Sequence, residues 1–287
     1  MRVTSLMTEK IILIAIAMML AAGAVLSTTG DQPVLDLKTD SRRMLADIAP
    51  ELLNSRIVLV GELHATAAHH RAQLAVIQAL HEAGARVAIG LEMFRRDSQE
   101  ELDRWVGGEM RPQDFPAVFA DNWGFPWDSY RMVFEYARRY KLPMIGLNVP
   151  REITRQVARG GFQSLSEEQR GQLADVTCAV DDDYMQYIRS AYGAHAHGTM
   201  NFTFFCEAQM VWDAAMAVHA LNYLQSHPEA VVVILTGIGH ARRGAIPRQI
   251  SQRSTVAATV FLPEVPGSIA AETVDRRDAD FLLLDLK

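Results

Sequence analysis

The sequence predicts an α/β fold: a doubly wound, mostly parallel sheet with an inserted helical subdomain. Three observations carry this reading. The runs 56–60, 86–91, 143–149 and 231–235 are almost continuously apolar, as strands buried on both faces are. Helical stretches alternate with them, at 69–82, 98–106 and 129–140. The block 151–228 breaks that alternation and offers no strand candidate. Within the block, Ser166 with Gln169 three residues on marks a helix start. Further helices are expected over 183–191 and over about 202–225, and two more strands at 256–262 and 281–286. The expected organisation is a first core part at 27–150, a helical subdomain at 151–228 and the remaining core at 229–287.

Composition narrows the function. The 287 residues are 49% hydrophobic and 22% charged, which suits a globular domain with a large core. Twenty-eight Lys and Arg against 34 Asp and Glu give a net charge of −6, without a basic run, so no nucleic-acid partner is expected. Arg2 and Lys10 precede an apolar stretch at 11–26 that contains Ala22-Gly23-Ala24, the layout of a secretory signal. Residues 1–26 read as a signal peptide or an N-terminal anchor, and the rest as periplasmic or otherwise exported. That segment is the one expected membrane contact. The stretch is shorter than the ~20 residues a spanning helix needs. Cys178 and Cys206 fit no zinc spacing, and either one disulfide or two free thiols is compatible with them.

The polar residues of interest fall where apolar runs end. Gly61-Glu62-Leu63-His64 follows the first run, Glu92 ends the second, Asn148-Val149-Pro150-Arg151 the third, and Gly237-Ile238-Gly239-His240 the fourth. In an open parallel sheet the carboxyl ends of the strands share one edge, where ligands bind. Glu62, His64, Glu92, Asn148, Arg151 and His240 are therefore expected on one rim, suited to a divalent metal or to acid–base chemistry. The competing reading makes Glu62 and Glu92 ordinary helix-start carboxylates.

Other candidates carry a structural reading beside the functional one. His69, His70 and Gln73 open a helix, and either histidine faces the same cleft or simply packs. Trp123, Phe125, Pro126 and Trp127 form an aromatic loop, as packing or as the wall of an apolar pocket. Tyr184, Tyr187, Tyr192, His195 and His197 cluster in the helical block, as loop and helix packing or as haem ligands. Gln209, Trp212, Asp213 and Met216 share one helical face, normally core. Asp213 there needs a partner, with Arg151 or Arg248 as candidates.

Taken together, these motifs resemble the haem-binding uptake family typified by ChaN. The resemblance runs from about Ile57 to Pro247. It rests on the Gly61–His64 and Gly237–His240 motifs, His69-His70-Arg71-Ala72-Gln73, Gly90-Leu91-Glu92-Met93-Phe94 and Asn148-Val149-Pro150-Arg151. The stretch Ala208-Gln209-Met210-Val211-Trp212-Asp213-Ala214-Ala215-Met216-Ala217 completes it. It implies an α/β core with a small helical subdomain, a haem pocket, and a role in haem and iron acquisition with a receptor or transporter as partner. It also implies a tyrosine haem ligand in a homodimeric pocket. The haem-contacting candidates are His64, His70, Arg151, Tyr184, Tyr187, Tyr192, His195, His197 and His240. The family's lipoprotein cysteine is absent here. The family is similar to erythromycin-esterase-like and Tiki/TraB-like proteins, whose Glu and His residues are thought to be hydrolytic or metal-binding. The second expectation is therefore a metal-dependent hydrolase holding zinc or manganese on Glu62, His64, Glu92 and His240.

Overall fold

The computed structural model describes residues 32–171, 182–195 and 201–286. The segment 1–26, Cys178 and His197 fall outside them. The chain opens with strands β1 (Pro33–Asp36) and β2 (Ser41–Met44) and helix α1 (Leu45–Leu52). There follow β3 (Ile57–Glu62), α2 (Ala67–Glu82), β4 (Arg86–Arg95), α3 (Gln99–Gly107), α4 (Phe115–Asn122), α5 (Trp127–Tyr140) and β5 (Met144–Asn148). The helical block holds α6 (Arg151–Gly160), α7 (Glu167–Gly171), α8 (Asp182–His195) and α9 (Phe202–Ser226). Strand β6 (Ala230–Gly237), the short helices α10 (Ile238–Ala241) and α11 (Ile246–Ser251), and strands β7 (Ala258–Pro263) and β8 (Phe281–Leu283) complete it.

The strands form one eight-stranded sheet in the order β2-β1-β8-β7-β3-β6-β4-β5. From β8 to β5 every pairing is parallel, whereas β1 runs antiparallel to both of its neighbours. Every residue of β3 and β6 is buried, as their continuous apolar character requires. One face packs on α1 to α5. There Trp105, Phe115, Phe119, Tyr130 and Phe134 build a fully buried aromatic layer under Val58, Ile89 and Val233. Each such large apolar side chain contributes about 1.5–3 kcal/mol on burial.

The opposite face, with Ile57, Leu59, Val232 and Ile234, packs on α9 and α11. Helix α9 does two jobs along its length. Met216, Ala217, Ala220 and Leu224 lie on the sheet, while Cys206, Met210, Val211 and Ala214 pack with Val157 of α6 and Tyr184 and Ile188 of α8. The expected start at Ser166 is a reciprocal cap: the Gln169 amide donates to Ser166 Oγ, and the Ser166 amide to Gln169 Oε1. Gly146 is required where β4 bulges beside β5, because a Cβ there would stand 2.3 Å from the Arg95 carbonyl oxygen.

Candidate functional site

Strand register assembles the site. Glu62 pairs with Gly237 across β3 and β6, and Leu91 pairs with Leu235 across β4 and β6. Glu92, one residue further along β4, therefore reaches the level of Thr236. Its Oε2 accepts hydrogen bonds from Thr236 Oγ1 and from the Gly237 amide, both at 2.6 Å. Asn148 at the end of β5 donates to the Glu92 carbonyl at 2.8 Å and fixes that turn of backbone. Gly237 leaves the room His64 occupies: a Cβ there would stand 3.0 Å from His64 Cε1.

Glu62 lies buried behind His64. Its Oε1 receives hydrogen bonds from His64 Nδ1 at 2.7 Å and from the Tyr130 hydroxyl at 2.6 Å. Its Oε2 faces His70 Nε2 at 3.1 Å, off the line of a hydrogen bond, and both ring nitrogens of His70 lack a hydrogen-bond partner. His70 itself is fully buried with its ring 4.0 Å from that of Tyr130. Burial works against ionisation of Glu62, but the His64 hydrogen bond and the neighbouring His70 outweigh it and hold the carboxyl down at about 2. His64 is pushed up: burial opposes the charged ring, and Glu62 and Glu92 more than compensate. Trp123 and Phe125 border His64 at 5.0 and 5.2 Å between ring centroids, so the aromatic loop walls this end of the rim. His69 serves the backbone instead, accepting from the Leu63 amide at 2.9 Å.

A second imidazole–carboxylate pair closes the other side. His240 on α10 shares a 2.6 Å hydrogen bond between Nδ1 and Asp213 Oδ1, and its Nε2 stands 3.9 Å from Glu92 Oε1. Asp213 Oδ2 accepts from the Tyr184 hydroxyl at 2.6 Å. The expected arginine partners of Asp213 are thus replaced by His240 and Tyr184. The physical reason is position: α9 carries Asp213 into the interior beside α10, while Arg151 turns outward and donates to the Asn122 carbonyl. Burial lowers the charge affinity of His240, yet the carboxylates of Asp213 and Glu92 push it up to about 9. We take the pair as imidazolium facing carboxylate, because two anions flank the ring.

The structure thus brings Glu62, His64, Glu92 and His240 into one cluster at the carboxyl edge, with Asn148 beside it. Arg151 is not in hydrogen-bonding contact with the cluster. Among the described residues no group of three or more His, Cys, Asp or Glu is placed to hold a metal ion. Sequence reading missed Tyr130 and Thr236. The available signals were a tyrosine on the apolar face of a helix, whose hydroxyl needs a partner, and a polar residue ending a buried strand.

The three tyrosines of α8 separate clearly. Tyr184 is buried and committed to Asp213. Tyr192 packs edge-on against Phe202 and Phe205. Tyr187 lies over Gly239, where an added Cβ would stand 2.2 Å from the phenol oxygen, and its hydroxyl makes no hydrogen bond among the described residues. Burial pushes its pKa up, and the Arg242 guanidinium, 5.6 Å from the ring, works in the opposite direction. A half-buried phenol without a protein partner, cradled by a glycine and flanked by a cation, fits an axial oxygen donor to ferric haem. His195 is the last residue of α8.

A half-buried phenol beside paired Glu and His residues, at the carboxyl edge of a doubly wound sheet, is the arrangement of a small-molecule-binding α/β protein. The sequence profile described as "Haem-binding uptake, Tiki superfamily, ChaN" matches residues 48–250, and the chain belongs to this family. The fold is similar to that of the structure described as cofacial heme binding to ChaN of Campylobacter jejuni. That similarity has a TM-score of 0.69 at 20% identity and covers 88% of this chain and 96% of that one. More distant are the type III effector HopBA1 (TM-score 0.49, 13% identity, 90% and 98% covered) and the erythromycin esterase mutant EreC H289N (0.48, 14%, 83% and 78%). No curated protein sequence matches the chain.

Proposed function

We propose that this chain is an exported haem-binding protein that holds haem, or passes it on, during iron acquisition. Family membership supports haem as the ligand. The observation that carries the placement is Tyr187, the one α8 tyrosine whose described hydroxyl is left to a ligand. When bound, haem supplies a ferric iron that accepts an oxygen donor. Tyr187 would be that donor, with the Arg242 guanidinium working toward its phenolate against burial. Export is supported by the 1–26 segment, with its positive start, apolar run and small-residue site. Among the described residues no helix is long and apolar enough to cross a membrane. A homodimer, and a receptor or transporter as exchange partner, belong to the same proposal. Titration with haemin tests it: a Soret shift should saturate at a defined stoichiometry, and Tyr187→Phe should alter the spectrum far more than Tyr184→Phe or Tyr192→Phe. Absence of a saturable shift would sink the haem reading.

One observation favours a second reading, hydrolysis. His64 and His240, each paired with a buried carboxylate, face Glu92 from two sides. One neutral imidazole would take a proton from water while an imidazolium protonates the leaving group. Among the described residues no group of three or more His, Cys, Asp or Glu is placed to hold an ion, and the two imidazoles suffice for this proton traffic. Turnover of ester substrates that His64→Ala abolishes would support it, and turnover unchanged by that substitution would remove it.

A further inference from the structure

The rim is open at one end and shut at the other. The His64 side chain is 30% exposed, whereas those of His240, Glu92 and Asp213 are 11%, 8% and 0% exposed. Both functional readings put a ligand beside His240 and Glu92, so that end has to be uncovered. Helix α8 lies over it. The Tyr187 ring rests on the backbone of Gly239, the residue before His240, where an added Cβ would stand 2.2, 2.4 and 2.5 Å from three atoms of the phenol. Beneath it all four residues of α10 are buried.

Two sets of contacts hold α8, and they differ in kind. Toward its end, the Arg189 guanidinium lies 4.7 Å over Phe202, and Tyr192 packs edge-on against Phe202 and Phe205 at the start of α9. Toward its beginning, Tyr184 and Tyr187 stack parallel with centroids 6.0 Å apart. Tyr184 donates to Asp213, and Tyr187 sits on Gly239. The first set is broad ring contact, which survives a change of angle between two helices. The second is a directional hydrogen bond and a ring laid on a glycine, which do not. Asp213 keeps His240 on its other oxygen, so losing Tyr184 leaves that buried carboxylate paired.

We propose that α8 is a latch on the rim. It pivots on its contact with Phe202 and Phe205, and release of Tyr184 from Asp213 lifts Tyr187 off Gly239. One motion then uncovers His240 and frees the Tyr187 phenol. The proposal rests on the rim being the ligand site, whichever ligand takes it, and adds how that ligand enters. Tyr184 is a positioning residue that holds the site shut until α8 moves.

Hydrogen–deuterium exchange of the full chain without ligand, read by mass spectrometry on overlapping peptides, tests the latch. Tyr184→Phe keeps the packed ring and removes the bond. Exchange in α8 and in α10 should rise together by about tenfold or more, the factor expected for one hydrogen bond to a carboxylate. Strands β3 and β6 should exchange as in the wild type. No side chain caps the start of α10, so its first amides depend on cover and report the lifting directly. Gly239→Ala pushes on the Tyr187 ring from below and should also raise exchange in α8; it decides the matter if Tyr184→Phe does not fold. A rise in α8 without α10 means a fraying helix that covers nothing, and overturns the latch. A rise shared by β3 and β6, or no rise at all, overturns it too. Haemin takes no part in this experiment, so the latch and the haem reading fail separately.

Discussion

Glu62→Gln removes a buried charge that the site keeps ionised, and its effect on stability follows from the folded-state pKa. The carboxyl ordinarily titrates at 4.5 and is held at about 2 in the folded protein. A difference of that size corresponds to about 3 kcal/mol of folding free energy. The sign is fixed by the direction of the shift. A depressed carboxylate pKa contributes stability that is complete above 4.5 and is lost as pH falls through about 2. Urea unfolding of wild type and variant at several pH values between 7 and 2.5 measures this. The variant should be less stable by about 3 kcal/mol at pH 6, and the gap should narrow steadily below pH 4.5. His64, whose own pKa is raised, stays protonated in both states across that acid window, so it does not reverse the trend. A gap that stays constant from pH 6 to pH 2.5 would refute the reasoning, because the loss would then come from shape rather than from charge.

Other outcomes are equally specific. Asp213→Asn should drop the His240 pKa from about 9 to below its ordinary value, since burial then acts with less opposition; an NMR titration of the imidazole reads it, and an unchanged midpoint argues against the pair. Gly239→Ala should displace the Tyr187 ring and change the haemin spectrum with little loss of fold, checked by absorption and circular dichroism. Glu62→Gln and His240→Ala should leave the iron spectrum close to that of the wild type, because neither residue is assigned as the ligand. Gly146→Ala should destabilise the domain by a few kcal/mol through its clash with the Arg95 carbonyl, seen as a lower urea midpoint.

The central strands were legible because burial on both faces leaves a continuous apolar run, and the residues just past those runs were legible for the same reason. Hairpin β1–β2 was not: Ser41-Arg42-Arg43-Met44 is an edge strand with charged side chains and no apolar pattern. Helix α4 escaped because Phe115-Pro116 reads as a break, whereas the proline takes the first turn of the helix, where it costs no hydrogen bond. In the site, Glu62 and His64 are neighbours in sequence, so their pairing was within reach. Asp213 and His240 belong to separate elements, and only the packing of α9 beside α10 joins them. That Asp213 needed a partner was visible from its apolar helix face, but not which one. The same holds for the α8 tyrosines: their cluster was visible, and only their individual contacts separate Tyr187 from the two committed ones.

Resonance Raman spectroscopy of the ferric haem complex tests the central claim most directly, because vibrations of an iron-bound tyrosinate report the axial ligand itself. The account predicts tyrosinate modes in the wild type that persist in Tyr184→Phe and Tyr192→Phe and vanish in Tyr187→Phe. Haem bound without those modes, or modes that survive Tyr187→Phe, would contradict it.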